Sequence, residues 1–260
     1  MRTEVKQCQP TLEDLRLPRL KDLETPRMKL RRFVAPFRRL RVEEVAAEFY
    51  NALETAFGEV QGPGETLSLS TLNRLSAFWG NARYSADGRF LERVCDMMGQ
   101  VSGGTVLECG SGVSTVVLHL MAARRNIRVV SLEHLRQFHS RTGKALSRCF
   151  GDASTRNLIR APLVSYGAFS WYDQRKFAEL DDIRLVVCDG PPGITRGTRY
   201  GLLPVMRAKL RPDCEILLDD LIRTDEQTVV RLWQREFGIS YTRHATERGA
   251  VTIRLPGFHL

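Results

Sequence analysis

No apolar run in this 260-residue chain approaches the roughly 20 residues that span a bilayer, so no membrane-crossing helix is expected. The first 20 residues, MRTEVKQCQPTLEDLRLPRL, lack an apolar h-region, and no secretory signal is expected either. No two cysteines are spaced C-x-x-C. The six, at positions 8, 95, 109, 149, 188 and 214, are scattered, which excludes a zinc ribbon or a disulfide framework and fits a reducing, cytoplasmic compartment. There is no internal repeat and no low-complexity segment. Acid is scarce at one end: residues 1–41 hold twelve Lys/Arg against five Asp/Glu, so +7 of the net charge of +9 sits in the first sixth of the chain. The basic character belongs to an extension and not to the fold.

Within that extension, RMKLRRFVAPFRRLR (residues 27–41) carries seven basic residues and no acid. It reads either as a surface gripping nucleic-acid phosphates or an anionic membrane face, or as a solvated helix packed on the domain by Leu30, Phe33, Val34, Phe37 and Leu40. VEEVAAEFYNALETAF, from Val42, is a strongly amphipathic helix, and LSTLNRLSAFWGNA and GRFLERVCDMMGQV predict two more. Residues 42–100 therefore form a helical cap. From residue 101 onward short β-rich runs alternate with helical ones: TVLECG, IRVVSLEH, NLIRAPL, IRLVVCDG, EILLDD, ISYTRH and AVTIRLP. Alternation predicts βαβ units and a doubly wound α/β fold with a seven-stranded, mostly parallel sheet. The last two runs have no helix between them, which predicts an antiparallel edge.

In such a sheet ligands bind beyond the carboxyl ends of the strands. Four of five of those ends carry acids: Glu108-Cys109-Gly110, Glu133-His134, Asp189-Gly190 and Asp219-Asp220. GTVLECGSGVSTVVLHLM (residues 104–121) reads as strand, glycine turn and helix, with Gly110 and Gly112 letting a ligand approach the backbone and a helix N-terminus. A dinucleotide turn wants a third glycine, and Thr115 stands there instead. Glu108 inside the strand end faces a pyrophosphate unfavourably and suits a cationic ligand. Glu133, 21 residues past Gly112, is spaced to hydrogen-bond ribose hydroxyls.

VLECGSGVST, followed by VVSLEH and LVVCDGPPG, resembles the class I S-adenosylmethionine-dependent methyltransferases over roughly residues 80–255. The resemblance implies that Glu108, Cys109, Gly110, Ser111, Gly112 and Ser114 hold the methionine part of S-adenosylmethionine and that Glu133 holds the ribose. His134 and Leu163 would border the adenine, and Asp189 would border the donor. Asp173 or backbone groups of APLVSYGAFSWYD stand where an adenine-binding acid is common in the family. Asp189 and His134 are the candidate catalytic residues, and His244 could reach the site from the sixth main strand. Arg196, Arg199 and Tyr200 are candidates to recognise an anionic or sugar-like small-molecule acceptor. Asp189, Asp219 and Asp220 resemble the Mg²⁺ ligands of metal-dependent small-molecule and sugar O-methyltransferases, where an ion holds two acceptor hydroxyls. The expected function is O-methylation of such an acceptor, Mg²⁺-assisted. The alternatives are RNA or protein methylation through the basic arm, an aminopropyl transferase, and an NAD-dependent oxidoreductase. Nothing in the pattern specifies an oligomer.

Overall fold

A computed structural model describes residues 42–60, 66–80, 84–123 and 125–257. The basic extension of residues 1–41 lies outside the described residues. Three helices come first: α1 (Val42–Glu59), α2 (Leu69–Trp79) and α3 (Gly88–Gln100). Their ends are set by local chemistry. Ser68 and Asp87 cap α2 and α3, accepting from the amides of Thr71 and Phe90. The Glu59 carboxylate ties α1 to α2 by accepting from the Ser68 amide (2.8 Å) and from the Ser68 and Thr71 hydroxyls (both 2.7 Å).

The alternating region follows as β1 (Gly104–Cys109), α4 (Val113–Ala122), β2 (Ile127–Glu133), α5 (Arg136–Phe150), β3 (Leu158–Arg160), β4 (Leu163–Ser165), β5 (Ser170–Tyr172), β6 (Ile183–Cys188), α6 (Leu202–Met206), β7 (Leu210–Leu218), α7 (Thr224–Phe237), β8 (Ser240–His244) and β9 (Ala250–Arg254). The main sheet has seven strands in the order β3-β2-β1-β6-β7-β9-β8. All neighbours are parallel except at β9, which runs antiparallel to both β7 and β8. The predicted architecture is met, with the antiparallel strand inserted one place in from the edge.

Period-2 alternation divides the strands between two cores. Val106, Val129, Leu185, Val187 and Leu217 face the helices α1–α4, while Leu107, Val130, Val186, Cys188 and Ile216 face the side covered by α7 and the β4–β5 hairpin. The helices read as a cap thus share a continuous core with the sheet: Phe90, Leu91, Val94 and Met97 of α3 are fully buried there. Burial at this level makes Phe90→Ala cost about 3–5 kcal/mol. Among the described residues, no helix is long and apolar enough to cross a membrane.

Two expectations fail locally. The run NLIRAPL yields only the three-residue β3, and APLVSYGAFSWYD, read as a loop, holds the separate antiparallel hairpin β4–β5. The segment after β6 is not a long helix. Pro191, Pro192, Gly193 and Gly197 keep it in turns until α6, which has only five residues.

Candidate functional site

The parity that buries Val106 under α4 also sends Glu108 there. Its carboxylate is 1% exposed and takes the Ser114 hydroxyl on Oε1 (2.6 Å) and the Thr115 hydroxyl on Oε2 (2.7 Å). Thr115 Oγ1 in turn accepts from the Gly112 amide at 2.9 Å. Glu108 and Ser114, 1% and 5% exposed, therefore brace the glycine turn from inside, where direct contact with a ligand was expected. Thr115, the residue in place of a third glycine, is the brace that the sequence reading missed. Burial pushes the Glu108 carboxyl up to about 7, against the pull of the two hydroxyl donors.

Gly110 sits at φ +97, and its amide donates to the Leu132 carbonyl at 2.9 Å. A Cβ at Gly190 would come within 2.9 Å of Gly110 Cα and 2.7 Å of the Tyr172 hydroxyl. The ends of β1 and β6 thus touch backbone to backbone, and the Cys109 carbonyl accepts from both the Asp189 and Gly190 amides. Cys109 itself is buried beside Cys188 in the β1–β6 register; both are free thiols.

Glu133 ends β2 next to this turn. Its Oε2 accepts from the Ser111 amide (3.1 Å) and hydroxyl (3.0 Å), and Oε1 accepts from the Leu135 amide (2.7 Å). Each carboxylate oxygen has two acceptor sites, so Oε1 retains capacity for a ligand hydroxyl. His134 Nδ1 lies 3.2 Å from Glu133 Oε1, and its ring is 6.2 Å from the Tyr172 ring. Tyr172 pairs with Leu163 across the hairpin. The structure therefore gathers Ser111, Glu133, His134 and Leu163 along one edge. The buried Tyr172 hydroxyl has no partner among the described residues. Asp173 is committed elsewhere: it caps the following turn and pairs with Arg175 at 2.8 Å.

The ends of β6 and β7 bring together the three predicted aspartates. Carboxylate oxygens of Asp189, Asp219 and Asp220 lie within 4.8 Å of one another. The expected Mg²⁺ does not fit them, because Arg199 is already there. Arg199 Nη2 donates to Asp220 Oδ2 (2.6 Å), Asp189 Oδ1 (3.1 Å) and the Asp189 carbonyl (2.5 Å), while Nη1 donates to the Asp219 carbonyl (2.6 Å). Glu226 of α7, missed in the sequence, is buried 3.7 Å from Nη1. Asp219 and Asp220 are 0% and 2% exposed, which leaves no place for the waters Mg²⁺ keeps. Burial pushes Asp189 up to about 7 even though Arg199 opposes the shift, and raises Asp219 as well.

The acceptor expectation for Arg199 and Tyr200 is corrected by the same geometry. Arg199 is 1% exposed. The Tyr200 hydroxyl donates to Glu236, and its carbonyl accepts from Trp233 Nε1 at 2.9 Å, so it faces α7. Arg196 is half-buried, and its carbonyl stitches the loop to the hairpin through the Ser170 amide (2.8 Å). His244 bonds Thr252 Oγ1 at 2.7 Å and lines an open groove of about 380 Å³ with Arg89, Arg93 and Asp96, which shares no residue with the rim.

No family model matches this chain, and no curated protein does. Solved structures do. A methyltransferase from Geobacter sulfurreducens superposes with a TM-score of 0.51 at 13% identity, covering 79% of this chain and 97% of that one. An SAH-bound methyltransferase from Podospora anserina (TM-score 0.48, 14% identity, 86% and 99% covered) and an O-methyltransferase from Bacillus cereus in complex with SAH (0.48, 14%, 82% and 100%) are also similar. The chain has the Rossmann-like class I methyltransferase fold.

Proposed function

We propose that this chain is an S-adenosylmethionine-dependent methyltransferase acting on a hydroxyl oxygen of a small acceptor. The observation that carries the reading is the pairing of the β1 glycine turn with Glu133 at the adjacent end of β2, in a sheet whose β9 is antiparallel. A dinucleotide-binding sheet has the order 3-2-1-4-5-6, without such an inserted strand, which favours this reading over the NAD-dependent one. The close contact of Gly110 with Gly190, which no side chain would fit between, joins the ends of β1 and β6 at this turn. Glu133 retains acceptor capacity for a ribose, and the surrounding acids suit a cationic donor better than a pyrophosphate.

When bound, S-adenosylmethionine supplies an electrophilic methyl on a sulfonium that leaves as a neutral thioether. The chain's own residues do the rest. Ser111 and Glu133 orient the ribose end, and His134 with Leu163 borders the adenine. Asp189 is 22% exposed, whereas Asp219 and Asp220 are closed off, so within the cluster it is the carboxylate that can reach an acceptor. It takes the hydroxyl proton as general base. Arg199 holds its Oδ1 and its carbonyl in place.

Calorimetry with S-adenosylmethionine and with SAH tests the donor; micromolar binding of both is expected. Binding of neither by folded protein removes the reading, and binding of NAD in their place favours the oxidoreductase. Incubation of labelled donor with cell extract tests the acceptor: label in small molecules is expected. Label in RNA or protein would replace the small acceptor by a macromolecular one.

A further inference from the structure

The rim at the ends of β6 and β7 concentrates four acids, Asp189, Asp219, Asp220 and Glu226, around one guanidinium. Burying that many carboxylates side by side must be offset by protons or by a cation, and Arg199 is the cation that lies among them. The surface arginines contribute from outside only: Arg223, 40% exposed, reaches Asp220 Oδ2 at 2.8 Å, and Arg248 stands 3.9 Å from Oδ1.

The loop after β6 is built to deliver Arg199 inward. Gly197 (φ +76) and Thr198 (φ +46) both take left-handed backbone, which turns the chain toward the sheet. A Cβ at Gly197 would meet Phe169 at 2.5 Å, and one at Gly201 would meet Trp171 at 2.7 Å. These two glycines let the loop slide under the aromatic hairpin and carry Arg199 into the core. Asp220, also left-handed at φ +63, turns its carboxylate to meet it. A guanidinium stays protonated in any ordinary environment, and its planar fork serves several oxygens at once.

We propose that Arg199 stands where a divalent cation would: its guanidinium is the built-in counter-cation of Asp189 and Asp220, holds Asp219 by its carbonyl, and makes this rim independent of metal. A second cation within the same few ångströms would be repelled by Arg199 and would find Asp189 and Asp220 already engaged. Asp219 is the group that reports the arrangement. Its two buried carboxylate oxygens have no hydrogen-bond partner among the described residues, while its carbonyl is taken by Arg199. Removing Arg199 opens the space beside it and leaves a hard-oxygen set of the kind Mg²⁺ and Mn²⁺ prefer. The assignment goes beyond the methyl-transfer reading and stands without it, since its test reads metal and not activity.

The test is Mn²⁺ titration of the full chain, followed by electron paramagnetic resonance of the free ion. Wild-type protein is expected to leave the free-ion signal unchanged. Arg199→Ala is expected to take up one Mn²⁺ at least tenfold more tightly than wild type, and Asp219→Asn in the same background is expected to abolish the gain. Stoichiometric binding to wild type that Asp219→Asn removes would overturn the proposal, as would a folded Arg199→Ala that binds no Mn²⁺. If Arg199→Ala does not fold alone, recovery on refolding with Mn²⁺ supports the assignment, and equal loss with and without Mn²⁺ overturns it.

Discussion

The two halves of the sheet's carboxyl edge solve one problem in opposite ways. At β1 and β2 the buried acids are satisfied by neutral donors close in sequence: Ser114 and Thr115 for Glu108, and Ser111 and Leu135 for Glu133. At β6 and β7 the acids gather around a charged group, Arg199, on a loop that reaches back from ten residues beyond Asp189, with Arg223 adding a second ion pair to Asp220 from the surface. Neutral donors can be removed one at a time at modest cost. A shared charge cannot, because every acid that loses it is left buried and ionisable.

The largest effect expected from this contrast is at Arg199. Arg199→Met fills the space but removes the charge, and should cost about 3–5 kcal/mol of stability, the range for breaking a buried ion pair from one side. Chemical denaturation measures it; a loss below about 1 kcal/mol would mean that the two halves do not differ as described. On the other half, Glu133→Ala should weaken donor binding by about 1.5–3 kcal/mol, the value of a hydrogen bond to a charged group. Calorimetry checks it, with stability expected to change less than in Arg199→Met. Where the halves meet, Gly190→Ala drives a Cβ against Gly110 and the Tyr172 hydroxyl. Overpacking of this kind costs about 1–3 kcal/mol, read as a lower thermal midpoint together with weaker donor binding.

The smallest effect sharpens the comparison through pH. Glu108 and Asp189 keep their protons in the folded state up to about pH 7, whereas the unfolded chain loses them in the ordinary carboxylate range. The folded state therefore holds more protons across that window, and stability falls as pH rises through it. His119, held down to about 4 by burial, acts in the opposite sense at lower pH. The clean interval is about pH 6.5 to 7.5, where the fall should be on the order of 1 kcal/mol. Glu108→Gln should flatten it in thermal melts; an unchanged slope would place the titration elsewhere, at Asp189, Asp219 and Glu226.

The same contrast explains what was legible in the sequence. The strands, their order of appearance and their terminal acids are short local patterns: an apolar run, then an acid, then glycine or a helix. ECGSGVST carries its own brace within eight residues, so the β1–β2 half could be read almost entire, apart from Thr115 acting as support. The three aspartates were also legible as a cluster, because parallel neighbours put their ends together. Their counter-cation was not. Nothing in GITRGTRYG distinguishes the buried Arg199 from the half-buried Arg196, since the difference lies in left-handed turns at Gly197 and Thr198 and in a hairpin that strands of three residues barely announce. Glu226 looks like an ordinary acid in the first turn of α7 and is buried only because Arg199 comes to it.

The meeting of Gly110 and Gly190 also has a mechanical side. Side chains in contact can rotate apart; two backbones cannot. With the Cys109 carbonyl holding the amides of both Asp189 and Gly190, the glycine turn and the first residues after β6 are fastened into one plate. A displacement of the turn would therefore be passed to Asp189 through backbone alone, with no side chain between them.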